Sequence, residues 1–332
     1  MCYNYIVMAI KIGVLSGGPS DEHEVSLKSG EAVLNYLPEH YQAENIYINP
    51  QAVWHLGEVP YEPHKILPRF DVIFNALHGT YGEDGRVQKV LRGFPFTGPA
   101  SVSAALAMDK CAAKELMERE YGTQVPLHYK VRYGEHTEAA AEEIMALLGL
   151  PVIIKPNAGG SSVGVVLART TEELVNGLND ALERSSVIVA EQYLMGREAT
   201  CAVVEGLRGE DLYALPPVEI QPPVERPFFD YSSKYDGISQ EICPGRFSPE
   251  EKLTLQETAK AAHRVLGLRH YSRTDFIVHP RQGIYYLETN SLPGITPSSL
   301  LPPSLDAVGV TMSEFLEHVV KLALSQRSRH EL

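Results

Sequence analysis

Over the first hundred positions, apolar runs alternate with glycine-bearing loops. The run from Ile6 to Leu15 reads as a buried strand that ends in SGG. HEVSLKSGEAVLNYL follows, with Val25, Leu27, Ala32, Val33 and Leu37 on one side of a helix. FDVIFNAL is a continuous β-rich run that gives way to HGTYGEDG. Strand, glycine loop, helix, strand is the rhythm of an open parallel sheet. Ligands of such sheets sit beyond the carboxyl ends of the strands. SGGPSDEHE and HGTYGEDG both fall at such ends.

A second unit starts near Gly98. PASVSAALAMDKCAAKELMEREYG reads as one helix stopped by Gly122, followed by the strand LPVIIKP, the loop NAGGSS, the strand VGVVLA and the helix TEELVNGLNDALE. SVIVAEQYL is a further strand. From about Glu191 a third unit runs through EATCAVVEG and DLYALPPVEI into a long Pro- and Tyr-bearing loop, Gln221 to Phe247. Ser248 and Glu251 form a capping box for the next helix. YSRTDFIVH and GIYYLETN are strands, and a last helix starts near Thr311. The units are expected at residues 1–99, 100–190 and 191–332.

Several side chains stand where chemistry is done. Glu288 and Asn290 are two apart on one strand and share a face. If that strand pairs with YSRTDFIVH, Asp275 joins them at the open end of a hairpin. Two carboxylates and an amide suit Mg²⁺ better than zinc; satisfied polar strand ends are the plain alternative. Lys155 closes an apolar strand, Lys110 sits among alanines, and Lys234 lies in the long loop. Gly159, Gly160, Ser161 and Ser162 join two apolar strands, either as a plain hairpin turn or as backbone N–H groups folded over a phosphate. The order is not that of a Walker loop, because Lys155 precedes the glycines. Glu24 is either a partner for an ammonium group or an ordinary first-turn helix acid. His78 is a polar strand end or a group near a substrate. No Cys/His pair occurs, and GSSVG at 160–164 joins two strands rather than a strand and a helix, so it is no nucleophile elbow.

Composition narrows the class. The chain has 332 residues, 44% hydrophobic and 21% charged, with a net charge of −13 and a pI near 5.4. Such a balance argues against a nucleic-acid partner. Four cysteines without a CxxC pair argue against zinc or a disulfide scaffold. No run nears the roughly 20 apolar residues of a membrane span, and the N-terminal segment lacks the pattern of a signal peptide. A cytoplasmic enzyme is expected.

In order, SGGPSDEHEVSLKSG, HGTYGEDG, MDK, KPNAGGSSVGV, EQYLMGRE, DYSSKY, RTD and LETNSLPG resemble the D-alanine–D-alanine ligases of the ATP-grasp superfamily. The resemblance implies a mixed α/β, three-domain ATP-grasp fold with an N-terminal open parallel sheet. It implies ATP with two Mg²⁺ ions (Mn²⁺ as a substitute), D-alanine as substrate and a homodimer. Carried over by motif, Lys110 and Lys155 contact the α- and β-phosphates, and Ser162 lies in the loop above them. Glu191 and Leu194 lie at the adenine, Glu198 at the ribose, and Lys234 reaches the γ-phosphate. Asp275, Glu288 and Asn290 hold Mg²⁺. Glu24 receives the first ammonium, linked to Ser161 and Tyr235, while His78 lies near the first carboxylate. Arg273 and the N–H of Gly294 form an oxyanion hole. Ser299 and Leu300 receive the second carboxylate.

Two details bear on specificity. Many relatives have His before the serine numbered 299 here, where this chain has Ser298 after Pro297. The Lys234–Tyr235 pair, altered in relatives that join D-lactate, is kept, which favours an amine acceptor. The alternatives are another ATP-grasp carboxylate–amine ligase and a catalytically silent binding protein.

Overall fold

A computed structural model describes residues 9–160, 164–221 and 240–325. Three sheets carry the fold. In the first, Lys11–Gly17 lies between Gln42–Ile48 and Val72–Asn75 and is parallel to both. The short strands Trp54–Leu56 and Val59–Tyr61 extend the edge in antiparallel fashion, which the rhythm of the sequence does not anticipate. The second sheet orders His128–Arg132, Val187–Gln192, Val152–Pro156 and Val166–Ala168, all antiparallel. In the third, Arg197–Glu205 and Tyr271–His279 run side by side at the centre. Gly283–Asn290 flanks them on one side, and Val218–Gln221 with Gln240–Ile242 on the other.

One helix packs far from its neighbours in sequence. The helix Met312–Ser325 repeats apolar residues so that Phe315, Leu316, Val319, Val320 and Ala323 are fully buried. They join Ile12, Val14, Val72 and Phe74 in one cluster, so the end of the chain closes the first sheet. Fully burying such a side chain contributes about 1.5–3 kcal/mol.

The stretch expected as one helix before Gly122 is two, Ser101–Met108 and Lys110–Tyr121. Asp109, with ψ of 99°, leaves the helical region and caps the second helix by accepting from Ala112 N at 2.9 Å. Helix propensity favoured continuity here, but a carboxylate suited to an N-cap won locally. The break lets Lys110 N donate to Asn157 O at 3.0 Å, which ties the helix start to the glycine loop. Gly122 ends the second helix in the left-handed region, φ 73°, as its position suggests.

The capping box forms as read. Glu251 N donates to Ser248 Oγ at 3.1 Å, and Ser248 N to Glu251 Oε2 at 2.7 Å. Between residues far apart in the chain, Gly98 N donates to His270 Nδ1 at 2.9 Å. Burial holds that imidazole down to about 4, so it is neutral and able to accept at ordinary pH.

Candidate active site

The second and third sheets face each other across a cleft of about 500 Å³. Lys155 and Glu191 reach it from the second sheet, and Glu198, Arg273, Asp275 and Glu288 from the third. The third-sheet residues arrive by strand alternation. Thr274, Phe276 and Thr289 are buried behind the sheet, while Arg273, Asp275, Glu288 and Asn290 point to the half-exposed side. Asp275 stands opposite Glu288 and Arg273 opposite Asn290, so the hairpin brings together the three oxygen-bearing residues read from the sequence.

Each carboxylate already has a cation of the chain. Arg273 grips Asp275 with two bonds, Nε–Oδ1 at 2.9 Å and Nη2–Oδ2 at 3.0 Å. Thr200 Oγ1 donates to Asp275 Oδ1 at 2.6 Å. Lys110 Nζ lies 3.4 Å from Glu288 Oε2 and donates to Gly159 O at 2.6 Å. Asn290 Oδ1 accepts from Leu292 N at 3.0 Å. Two carboxylates and an amide at one strand end, with lysine and arginine as present counter-ions, fit a hard divalent cation such as Mg²⁺.

Glu191 is more deeply engaged than its motif suggests. It is 3% exposed and lies between two ammonium groups, Lys114 Nζ at 2.6 Å and Lys155 Nζ at 2.9 Å. Against the cost of burial, these two lysines hold its carboxyl down to about 2. Burial pushes the Lys114 ammonium the other way, below its ordinary value. Leu194 and Glu198 line the same cleft.

At the N-terminal side, the structure distinguishes two glutamates. Glu24 is exposed in the first turn of the helix His23–Tyr36. That helix buries Ser26, Ser29, Gly30 and Val33. Glu24 is two residues from Ser26, about 200° around the helix, and so faces away. Glu22 lies one turn before Ser26, whose N–H bonds its carbonyl at 2.9 Å. Its carboxylate abuts the glycine loop of the second sheet: a Cβ on Gly160 would stand 2.6 Å from Glu22 Oε2. A side chain at 160 would push that carboxylate tip aside.

His78 is buried beside this carboxylate, with Nε2 2.8 Å from Ser29 Oγ. Burial lowers its pKa, against the opposing pull of Glu22. Ser299 Oγ lies 2.8 Å from Thr296 Oγ1, and a Cβ on Gly294 would stand 2.6 Å from that Ser299 oxygen. Ser298 Oγ shares the same threonine at 3.2 Å. Leu300 lines the cleft. Ser161, Ser162, Lys234 and Tyr235 lie outside the described residues, as does most of the long loop.

Sequence reasoning also passed over Lys114, Thr200 and Glu83. Lys114 is four residues from Lys110, hence on the same helix face, and that spacing was the available signal. Thr200 and Glu83 gave none, because each acts through a chain segment distant in sequence.

Two antiparallel sheets enclosing a lysine- and carboxylate-lined cleft, with a third α/β unit at its mouth, define a three-domain ATP-grasp fold. Two family models match, D-ala D-ala ligase N-terminus over residues 11–67 and D-ala D-ala ligase C-terminus over 120–321. The D-alanine--D-alanine ligase of Desulfotalea psychrophila is 39% identical over 326 residues, 96% of each chain. That of Halalkalibacterium halodurans is 37% identical over 96% of this chain and all of its own. Among solved structures, the VanG D-Ala:D-Ser ligase from Enterococcus faecalis superposes with a TM-score of 0.81 at 30% identity, covering 95% of this chain and 99% of that one. The D-alanine-D-alanine ligase from Coxiella burnetii, at 23% identity and a TM-score of 0.82 over 97% and 96% of the two chains, shares the fold. The chain belongs to the D-alanine–D-alanine ligase family.

Proposed function

We propose that the protein joins two D-alanines to D-alanyl-D-alanine at the expense of ATP, for peptidoglycan precursor synthesis. The supporting observation is the meeting of two half-sites. The lysine and carboxylate cleft and the Glu22–His78 corner touch at Gly160.

In this reading Lys110 and Lys155 hold the α- and β-phosphates. Leu194 and Glu191 lie at the adenine, and Glu198 at the ribose. Asp275, Glu288 and Asn290 hold Mg²⁺, two ions in all, with Mn²⁺ as a substitute. When bound, the metal neutralises charge on the transferred phosphoryl group. Glu22, in place of Glu24, receives the ammonium of the first D-alanine, with Ser161 and Tyr235 beside it and neutral His78 near the carboxylate. That carboxylate attacks the γ-phosphorus, steered by Lys234, and ADP leaves, giving an acyl phosphate. The amine of the second D-alanine, held through its carboxylate by Ser299 and Leu300, attacks the acyl carbon. Arg273 and the Gly294 N–H stabilise the oxyanion, and phosphate departs as the amide forms. The protein would act as a homodimer in the cytoplasm; among the described residues no helix is long and apolar enough to cross a membrane.

The test is phosphate release with Mg-ATP and a panel of D- and L-amino acids, including D-serine and D-lactate, with the product weighed by mass spectrometry. Release with D-alanine and a D-alanyl-D-alanine mass is expected. Release with L-amino acids and none with D-alanine would sink the reading.

The choice of Glu22 has its own test. A charge-assisted hydrogen bond of about 1.5–3 kcal/mol is lost in Glu22→Gln, so KM for the first D-alanine rises roughly 10–100-fold. Glu24→Gln, a change at an exposed helix turn, shifts it by less than about twofold. Equal effects of the two variants on this KM would reject the reassignment.

A further inference from the structure

One buried carboxyl group near the site has no part in the scheme above. Glu83 is 7% exposed. Its Oε2 accepts from Gly79 N at 2.8 Å, and its Oε1 accepts from Leu292 N at 3.1 Å. The two amides belong to opposite sides of the proposed substrate site. Gly79 follows His78, whose carbonyl accepts from Ser20 Oγ at 2.7 Å. Leu292 opens the loop that leads from the end of the Gly283–Asn290 strand to Gly294 and Ser299. Residues 83 and 292 are 209 positions apart in the chain, so this contact is made only by the assembled fold.

Two acceptor oxygens are what the position uses. Burial, and after it the Glu22 charge, raise the Glu83 carboxyl to about 8, so it is largely protonated at pH 7, and each oxygen keeps acceptor capacity. A small cavity of about 40 Å³ beside Glu83 is lined by Lys110, Gly160, Glu288, Asn290 and Ser291. That is room for little more than a water molecule. The Gly79 amide has Glu83 as its acceptor, and the Leu292 amide shares Glu83 with Asn290 Oδ1 at 3.0 Å. A buried donor left unpaired costs about 1–3 kcal/mol. Only a side chain with two acceptor oxygens on one carbon bridges them at once; an amide offers a single acceptor.

We propose that Glu83 is a positioning residue for the second half of the reaction. By binding the Gly79 and Leu292 amides together, it fixes the loop bearing Gly294 and Ser299 against the corner that holds the first D-alanine. The acyl carbon and the incoming amine then meet at a set distance, as efficient attack requires. The inference rests on the ligase reading above.

The experiment is steady-state turnover of the full chain with D-alanine varied, in Glu83→Gln and Glu83→Ala, counting both phosphate and dipeptide. In each variant, KM for the second D-alanine rises roughly tenfold. Phosphate released per dipeptide also rises, because acyl phosphate waits for its acceptor and is lost to water. KM for ATP stays within about twofold. A purely structural role would lower the thermal midpoint and leave the KM values and the phosphate-to-dipeptide ratio at wild-type values, which overturns the inference. So does a rise in KM for ATP in step with that for D-alanine, and so does failure of both variants to fold. If the wild-type protein makes no dipeptide from D-alanine, the ligase reading falls and takes this one with it. A wild type that ligates beside variants with an unchanged ratio rejects the role of Glu83 alone.

Discussion

Glu288→Gln is expected to abolish turnover, by about 10³-fold or more in kcat, while the fold survives. Metal assistance to phosphoryl transfer is worth several kcal/mol of charge stabilisation, and each 1.36 kcal/mol is tenfold in rate. The substitution removes one of two carboxylates at the hairpin end and keeps the size of the side chain. It also has a structural cost. Glu288 is 30% exposed, but its partner Lys110, 3.4 Å away, is only 10% exposed, and removing one partner of a buried pair is destabilising. Lys110 keeps its bond to Gly159 O. Turnover with Mg-ATP and D-alanine, beside a thermal melt, separates the two effects. ATP binding supplies a second readout: Mg²⁺ should tighten it in the wild type and leave it nearly unchanged in the variant. Turnover within tenfold of wild type would remove Glu288 from the metal site.

That prediction was legible in the sequence, and the reason is local. Asp275, Glu288 and Asn290 lie on two strands joined by a short turn, so period-two alternation and hairpin pairing place them without knowledge of the rest of the fold. The same holds for the Ser248 capping box. Glu24 shows where local reasoning stops. SGGPSDEHEVSL holds two glutamates two apart, and which one faces the ligand depends on where the helix starts. Helix boundaries are the least certain part of any such reading. The Gly160–Glu22 approach and the Glu83 bridge join segments from different sheets, and no local pattern encodes them. Nor does the sequence show that the helix Met312–Ser325 closes the first sheet, since its apolar stripe would fit any apolar face.

Long-range burial also sets the other large effect. Lys114, Glu191 and Lys155 form a chain of charges in which Lys114 is fully buried and Glu191 nearly so. The group carries two ammoniums and one carboxylate, so the loss of different members is not equivalent. Glu191→Gln leaves two buried ammonium groups side by side; of the carboxylates acting on both, only the more distant Glu288 remains. Breaking such an arrangement costs about 3–5 kcal/mol, and a thermal midpoint lower by roughly 10 °C is expected. Lys114→Met leaves the neutral Glu191–Lys155 pair and replaces an ammonium that burial already disfavours, so its loss should be less than half as large. The pH dependence has a definite sign. Glu191 is held down to about 2 from an ordinary 4.5. Its contribution, about 3 kcal/mol at 1.36 kcal/mol per unit, is therefore complete above pH 4.5 and is lost as pH falls toward 2. Denaturant or thermal melts of wild type and both variants at pH 7 and pH 3 decide the matter. The gap between wild type and Glu191→Gln should narrow at the lower pH. A larger loss from Lys114→Met than from Glu191→Gln, or a gap that widens in acid, would show that Glu191 is not the counter-charge on which the two lysines depend.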